Sequence, residues 1–112
     1  MAATPLTVTA VSKAGAAIAT ANSNTTDGNT FANDGRTFLY LSNPGASTAV
    51  VTVATGASVG GFAVADQTIT LLTTVEKIAG PFDPALFNDA NGLVTITFSD
   101  AGAADVDVMA FR

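Results

Sequence analysis

The residues of this chain best equipped for chemistry are its carboxylates, and their setting limits what they could do. There is no histidine and no cysteine among the 112 residues. The usual general base and the common nucleophile pairings are therefore missing, and zinc has no good ligand set. Glycosidase-type chemistry needs two carboxylates converging on a cleft. Asp83 and Asp89 are close in sequence, but Asp83 precedes Pro84 as a helix cap would, and Asp89 opens the turn Asp89-Ala90-Asn91-Gly92. That turn begins like an oxygen-rich calcium loop, D-x-N-G, yet lacks the bidentate Glu that completes an EF-hand. Asp27-Gly28-Asn29 and Asn33-Asp34-Gly35 read in the same way, as turns. The chain is expected to be no enzyme and to use no cofactor or metal.

Two other groupings stand out. Asp105 and Asp107 fall on one face of a strand, either solvated or an acidic contact for a basic partner. Arg36 and Tyr40 lie near the mouth of another strand, where they could form a small aromatic and cationic binding spot. The expected alternative is that Arg36 pairs with a nearby Asp while Tyr40 packs in the core with its hydroxyl at the rim. With no tryptophan and one tyrosine, a stacking platform for sugars is poorly supplied.

Nine acidic residues against four scattered cations give a net charge of −5. Four scattered cations make no phosphate-tracking patch, so nucleic acid is not an expected partner. The apolar runs are short and broken by Thr or Gly, and Met1-Ala2-Ala3-Thr4-Pro5 lacks the basic region and apolar core of a signal peptide. No membrane role is expected, and the chain is expected to be made in a cytoplasm. Charged residues are 12% of the chain, against about 25% in ordinary soluble domains. Its surface must be filled by Thr, Ser, Asn, Ala and Gly. Such a surface sheds water at little cost, which suits an assembly subunit and equally suits a plain neutral β-domain.

Short strands must position these residues. Asn33-Asp34-Gly35 leads into Arg36-Thr37-Phe38-Leu39-Tyr40-Leu41, and Asn43-Pro44-Gly45 stops it. Phe38 and Tyr40 alternate with Leu39 and Leu41, so both faces are apolar and a central strand covered on both sides is expected. Residues 1–5 read as a flexible arm and residues 6–112 as one β-sandwich domain. Within it, Leu6 to Val11 reads as a half-buried strand, residues 14–21 as a strand or irregular strand, and Thr30-Phe31-Ala32 as a short extended piece. Ala49 to Ala54 is the next strand, at hairpin distance from the central one. Residues 57–65 read as a strand bent at Gly60-Gly61, followed by Thr68 to Leu72 and an edge strand, Val75 to Ala79. Asp83 caps a short helical turn that lets Phe82, Leu86 and Phe87 plug one end. Leu93 to Phe98 places Val94, Ile96 and Phe98 inward, and Asp105 to Phe111 places Val106 and Val108 inward. Eight or nine short strands imply an all-β fold, a single antiparallel β-sandwich of jelly-roll or immunoglobulin-like type.

Three stretches carry a resemblance. They are Asn33 to Asn43, Gly80-Pro81-Phe82, and Phe87-Asn88-Asp89-Ala90-Asn91-Gly92-Leu93-Val94-Thr95-Ile96-Thr97-Phe98-Ser99. Over residues 33–99 the chain resembles short β-rich proteins encoded beside the major capsid protein of tailed bacteriophages, several of them head decoration or cement proteins. The resemblance implies a virion protein on the capsid exterior, bound to the major capsid protein, often as trimers at local threefold positions. Residues 4–11, with Thr4, Pro5, Leu6, Thr7, Val8 and Thr9 at their heart, are then expected to contact the capsid or a neighbouring subunit by adding a strand to its sheet. Deletion of residues 2–8 is expected to remove binding and leave the fold nearly intact. A tail or head-tail connector subunit, and a β-sandwich module for a cell-surface glycan or protein, are the alternatives.

Overall fold

The computed structural model describes residues 3–55 and 58–112. In chain order its strands are β1 (Thr4–Pro5), β2 (Val8–Thr9), β3 (Ala21–Asn22), β4 (Asn29–Ala32), β5 (Phe38–Ser42), β6 (Ala49–Val53), β7 (Ser58–Val59), β8 (Phe62–Ala63), β9 (Gln67–Leu71), β10 (Glu76–Ala79), β11 (Leu93–Ser99) and β12 (Asp107–Phe111). The helix α1 (Pro84–Phe87) and a 3-10 turn at Ala103–Asp105 complete them.

Two five-stranded sheets form an all-β sandwich. The first sheet runs β1, β4, β11, β6, β9; the second runs β10, β5, β12, β2, with β3 also on β12. Every pair among the longer strands is antiparallel, while the short N-terminal pieces β1 and β2 lie parallel to β4 and β12. One apolar cluster fills the space between the sheets. Phe31, Val51, Val53, Leu71, Val94, Ile96 and Phe98 come from the first sheet, and Leu39, Leu41, Val108 and Ala110 from the second. Strand alternation produces this directly, because successive side chains leave opposite faces of the pleat. On β11, Val94, Ile96 and Phe98 are buried and Thr97 is exposed.

Several elements differ from the expectations above. The loop at 43–48 makes no hairpin, because β5 and β6 lie in different sheets. The hairpin partner of β6 is β9. Of the stretch 57–65, residue 57 lies outside the described residues; residues 58–63 are a tight hairpin, β7 paired with β8. Its turn is Gly60-Gly61 with φ of 60° and 85°. Two successive positive φ values give the backbone twist of a two-residue hairpin turn, which a bulged strand would not need. Of the strand expected at 6–11 only Val8–Thr9 is in a strand, and of residues 14–21 only Ala21 is, as the start of β3. Strand β12 starts at Asp107, after the 3-10 turn.

The turns around β5 are built by two buried asparagines. Asn33 Oδ1 accepts from Gly35 N at 3.0 Å and Asn43 Oδ1 accepts from Gly45 N at 3.2 Å, the same side-chain-to-backbone turn at each end of the strand. Asn43 Nδ2 donates to Ser47 O at 2.8 Å and Leu71 O at 3.0 Å, tying the loop to β9. Asn33 Nδ2 donates to Phe82 O and to Asn88 Oδ1, and Asn88 Nδ2 donates back to Asn33 O. That clasp seats α1 on the end of the sandwich, where Phe82 packs between Phe31 and Phe87.

Candidate functional site

The carboxylates singled out by the sequence serve their own turns. Asp83 Oδ1 accepts from Ala85 N at 2.9 Å and caps α1, with Pro84 at its first position. Asp89 Oδ1 accepts from Asn91 N at 2.8 Å and Leu93 N at 3.0 Å. Asp34 Oδ1 accepts from Arg36 N, and its Oδ2 forms an ion pair with Arg112 at 2.6 Å. Arg36 therefore does not take the aspartate expected for it: that carboxylate is held by the C-terminal residue, and among the described residues Arg36 has no ion pair. One oxygen of Asp27 is buried without a partner, but no group of three acidic side chains among the described residues could hold a metal ion.

The six N-terminal candidates lie along the edges of their own sheets. Thr4 and Pro5, expected in a flexible arm, form β1 against Asn29 and Thr30. Thr4 N donates to Gly28 O, Asn29 Nδ2 donates to Thr4 O, and Asn24 Nδ2 donates to Thr4 Oγ1. Gly28, with φ of 80°, sits tightly against β11 on the other side, where a Cβ would collide with Ile96 O. Leu6 and Val8 pack on the core, and Thr7 is exposed between them as the chain passes from one sheet to the other. Val8 and Thr9 pair with Ala110 and Phe111, and Arg112 N donates to Thr9 O. Residues 4–9 thus close one side of the sandwich. Removing residues 2–8 would strip side chains from the core, so that deletion does not separate binding from folding.

An exposed apolar surface lies on the outside of the second sheet. Residues directly opposite in a ladder share a face. The register therefore sets Glu76, Ser42 and Asp107 in one outer row, Ile78, Tyr40 and Met109 in the next, and Phe38 beside Phe111 in a third. The Phe38 and Phe111 rings stack with centroids 5.6 Å apart. Val11, Ala16 and Ile18, from the irregular segment before β3, line the same hollow as Tyr40, Ile78, Met109 and Phe111, a half-open space of about 160 Å³. Val11, Ile18 and Ile78 are 54%, 72% and 65% exposed. Leu39 and Leu41 are buried beneath, as a central strand requires, but the outer face of β5 is only partly covered. The alternation Phe38-Leu39-Tyr40-Leu41 held the signal for an apolar outer face and could not say what covers it.

An acidic rim bounds this hollow. The Glu76 carboxylate beside the Tyr40 hydroxyl, and then burial, hold the phenol above its ordinary value of 10.0. Asp107, expected on a strand face with Asp105, reaches the rim; Asp105 lies in the preceding 3-10 turn. The outside of the first sheet is different: Thr30 pairs with Thr95, and Thr97, Thr52 and Thr68 form a row, so that face is uncharged and flat in chemistry. The chain thus presents an aliphatic and aromatic hollow with an acidic rim on one side and a hydroxyl-covered sheet on the other. No protein-family model, curated protein or solved structure matches it.

Proposed function

We propose that this chain is a structural protein of a tailed-bacteriophage head, binding the outer surface of the capsid and stabilising it. The observation that carries this role is the hollow on the second sheet. Val11, Ile18 and Ile78 stand in water around Tyr40 and Met109, in a chain whose candidate catalytic carboxylates are occupied by its own turns. Burying such side chains contributes roughly 25 cal/mol per Å², and few charges must be desolvated for the surface to dock. The resemblance over residues 33–99 supplies the partner, the major capsid protein, and the trimeric arrangement at local threefold positions. Many copies that bind only the assembled shell stabilise it by linkage, with no chemistry required.

The experiment is co-sedimentation of the purified chain with expanded phage heads that lack it. The wild-type chain is expected to pellet with the heads, and Ile78→Lys to bind at least about tenfold more weakly, a loss of about 1.4 kcal/mol. Because Ile78 is exposed on an edge strand, its unfolding curve should hardly move. Wild-type chain left in the supernatant would contradict capsid binding; equal binding by the variant would remove this face from the contact.

A further inference from the structure

A sandwich of two open sheets has four edges, and three of them here are guarded. Strand β1 is two residues long and contains Pro5, which has no N–H to offer. Strand β2 is equally short, and β3 covers another part of the same flank. Strand β10 carries Glu76 and Lys77, and Lys77 stands opposite the buried Leu41, so a charge occupies the inward side of that edge. Strand β9 is the exception. Its five residues, Gln67-Thr68-Ile69-Thr70-Leu71, include no charge and no proline, and among the described residues no further strand follows it in the sheet.

The neighbouring ladder shows which peptide groups of β9 face outward. Ala54 N donates to Thr95 O at 2.9 Å, one step beyond the Val53 and Ile96 pair. Hydrogen-bonded and non-hydrogen-bonded pairs alternate in an antiparallel ladder. Even-numbered residues of β6 therefore bond to β11, and odd-numbered ones bond to β9. Val51 opposes Ile69 and Thr52 opposes Thr68, which leaves the N–H and C=O groups of Thr68 and Thr70 aimed at the open edge. The Gln67 side-chain amide donates to Thr68 O at 3.1 Å, a local substitute for a missing strand. Beside this edge, Ile69, Ala79, Pro81, Phe82 and Phe87 line a hollow of about 360 Å³.

We propose that β9 is a self-pairing edge, joining two copies of the chain antiparallel about a twofold axis through Ile69. Thr68 of each copy then opposes Thr70 of the other, and each such pair exchanges N–H to O=C bonds in both directions. Their side chains lie on the outer face as threonine pairs, which stabilise cross-strand contacts. The two Ile69 side chains meet on the inner face at the mouth of the hollow. Asp66 comes opposite Leu72 and not opposite another acid, and its carboxylate is already held by Thr55 N at 2.9 Å. A second copy is favoured over a foreign strand because the contact is isologous and self-complementary. In a chain of net charge −5, this edge lets two copies approach without opposing like charges. The contact is small, so association is weak in dilute solution and strengthens where copies are held side by side. It does not depend on the capsid role.

The chain has no cysteine, so single cysteines report the register cleanly. Thr68→Cys and Thr70→Cys are purified separately and oxidised alone and as a mixture. The mixture is expected to form disulfide dimers at least about tenfold faster than either variant alone, because residues 68 and 70 are directly opposed while like positions are diagonal. Sedimentation equilibrium of the wild-type chain should show dimer by about 1 mM. Thr68→Lys with Thr70→Lys sets like charges opposite each other and should weaken association at least about tenfold, with the unfolding curve of the monomer kept as the check on folding. A wild-type monomer at that concentration, equal cross-linking in all three samples, or a dimer indifferent to the lysines would overturn the proposal.

Discussion

Asn43 and Phe98 define what single residues contribute. Asn43 is fully buried and satisfies Ser47 O, Leu71 O and Gly45 N with one side chain. Asn43→Ala removes all three bonds and should cost about 2–4 kcal/mol in chemical denaturation; a cost under 0.5 kcal/mol would mean that water replaces the amide. Phe98→Ala removes a ring buried between the sheets and should cost about 3–5 kcal/mol. Tyr40 is the single tyrosine and there is no tryptophan, so phenolate absorbance reports it alone. Its titration should lie above the ordinary value of 10.0, and Glu76→Gln should bring it down. Since the folded-state pKa is raised, the associated stability is fully present below the unfolded value and is lost as pH rises through the folded one. A midpoint at or below 10.0 would contradict the Tyr40 and Glu76 contact. These roles were only partly visible in the sequence. Asn33 and Asn43 were recognisable as turn residues, because Asn before a glycine two positions on is a local signal. Their burial and their second bonds, across 28 and 49 residues of chain, are tertiary facts with no local trace.

At the scale of elements, periodicity carried most of the fold. The alternating cores of β5, β6, β9, β11 and β12, the guarded edge at β10, and the capped turn at Asp83-Pro84 follow from local side-chain pattern. Two kinds of feature do not. The assignment of β5 and β6 to different sheets depends on which face each strand buries against which partner, since a six-residue loop serves a hairpin or a crossing equally well. The splitting of residues 4–9 between both sheets depends on Gly28 and Asn24 receiving Thr4. The 4–9 segment therefore carries its own prediction: Leu6→Ala should cost about 2–4 kcal/mol, because Leu6 packs on the core, while Thr7→Ala at the exposed crossing should stay within about 0.5 kcal/mol. Comparable losses at both positions would mean that this segment is held by its backbone alone.

At the scale of the whole molecule, the chain is a β-sandwich with few charges and two contrasting outer faces. One is covered in threonine hydroxyls; the other leaves a hollow of Val11, Ile18, Tyr40, Ile78 and Met109 open beside an acidic rim. On the proposed role such a body docks in many copies, each contact adding a modest free energy to a shell that repeats it. Copy number tests that claim most directly. Particles of the phage or prophage encoding the chain would be purified and its abundance measured against the major capsid protein, before and after mild chaotrope. The account predicts a ratio of order one and selective loss on treatment. A few copies per particle would indicate a connector, tail or fibre subunit, and absence from the particle would contradict a virion role altogether.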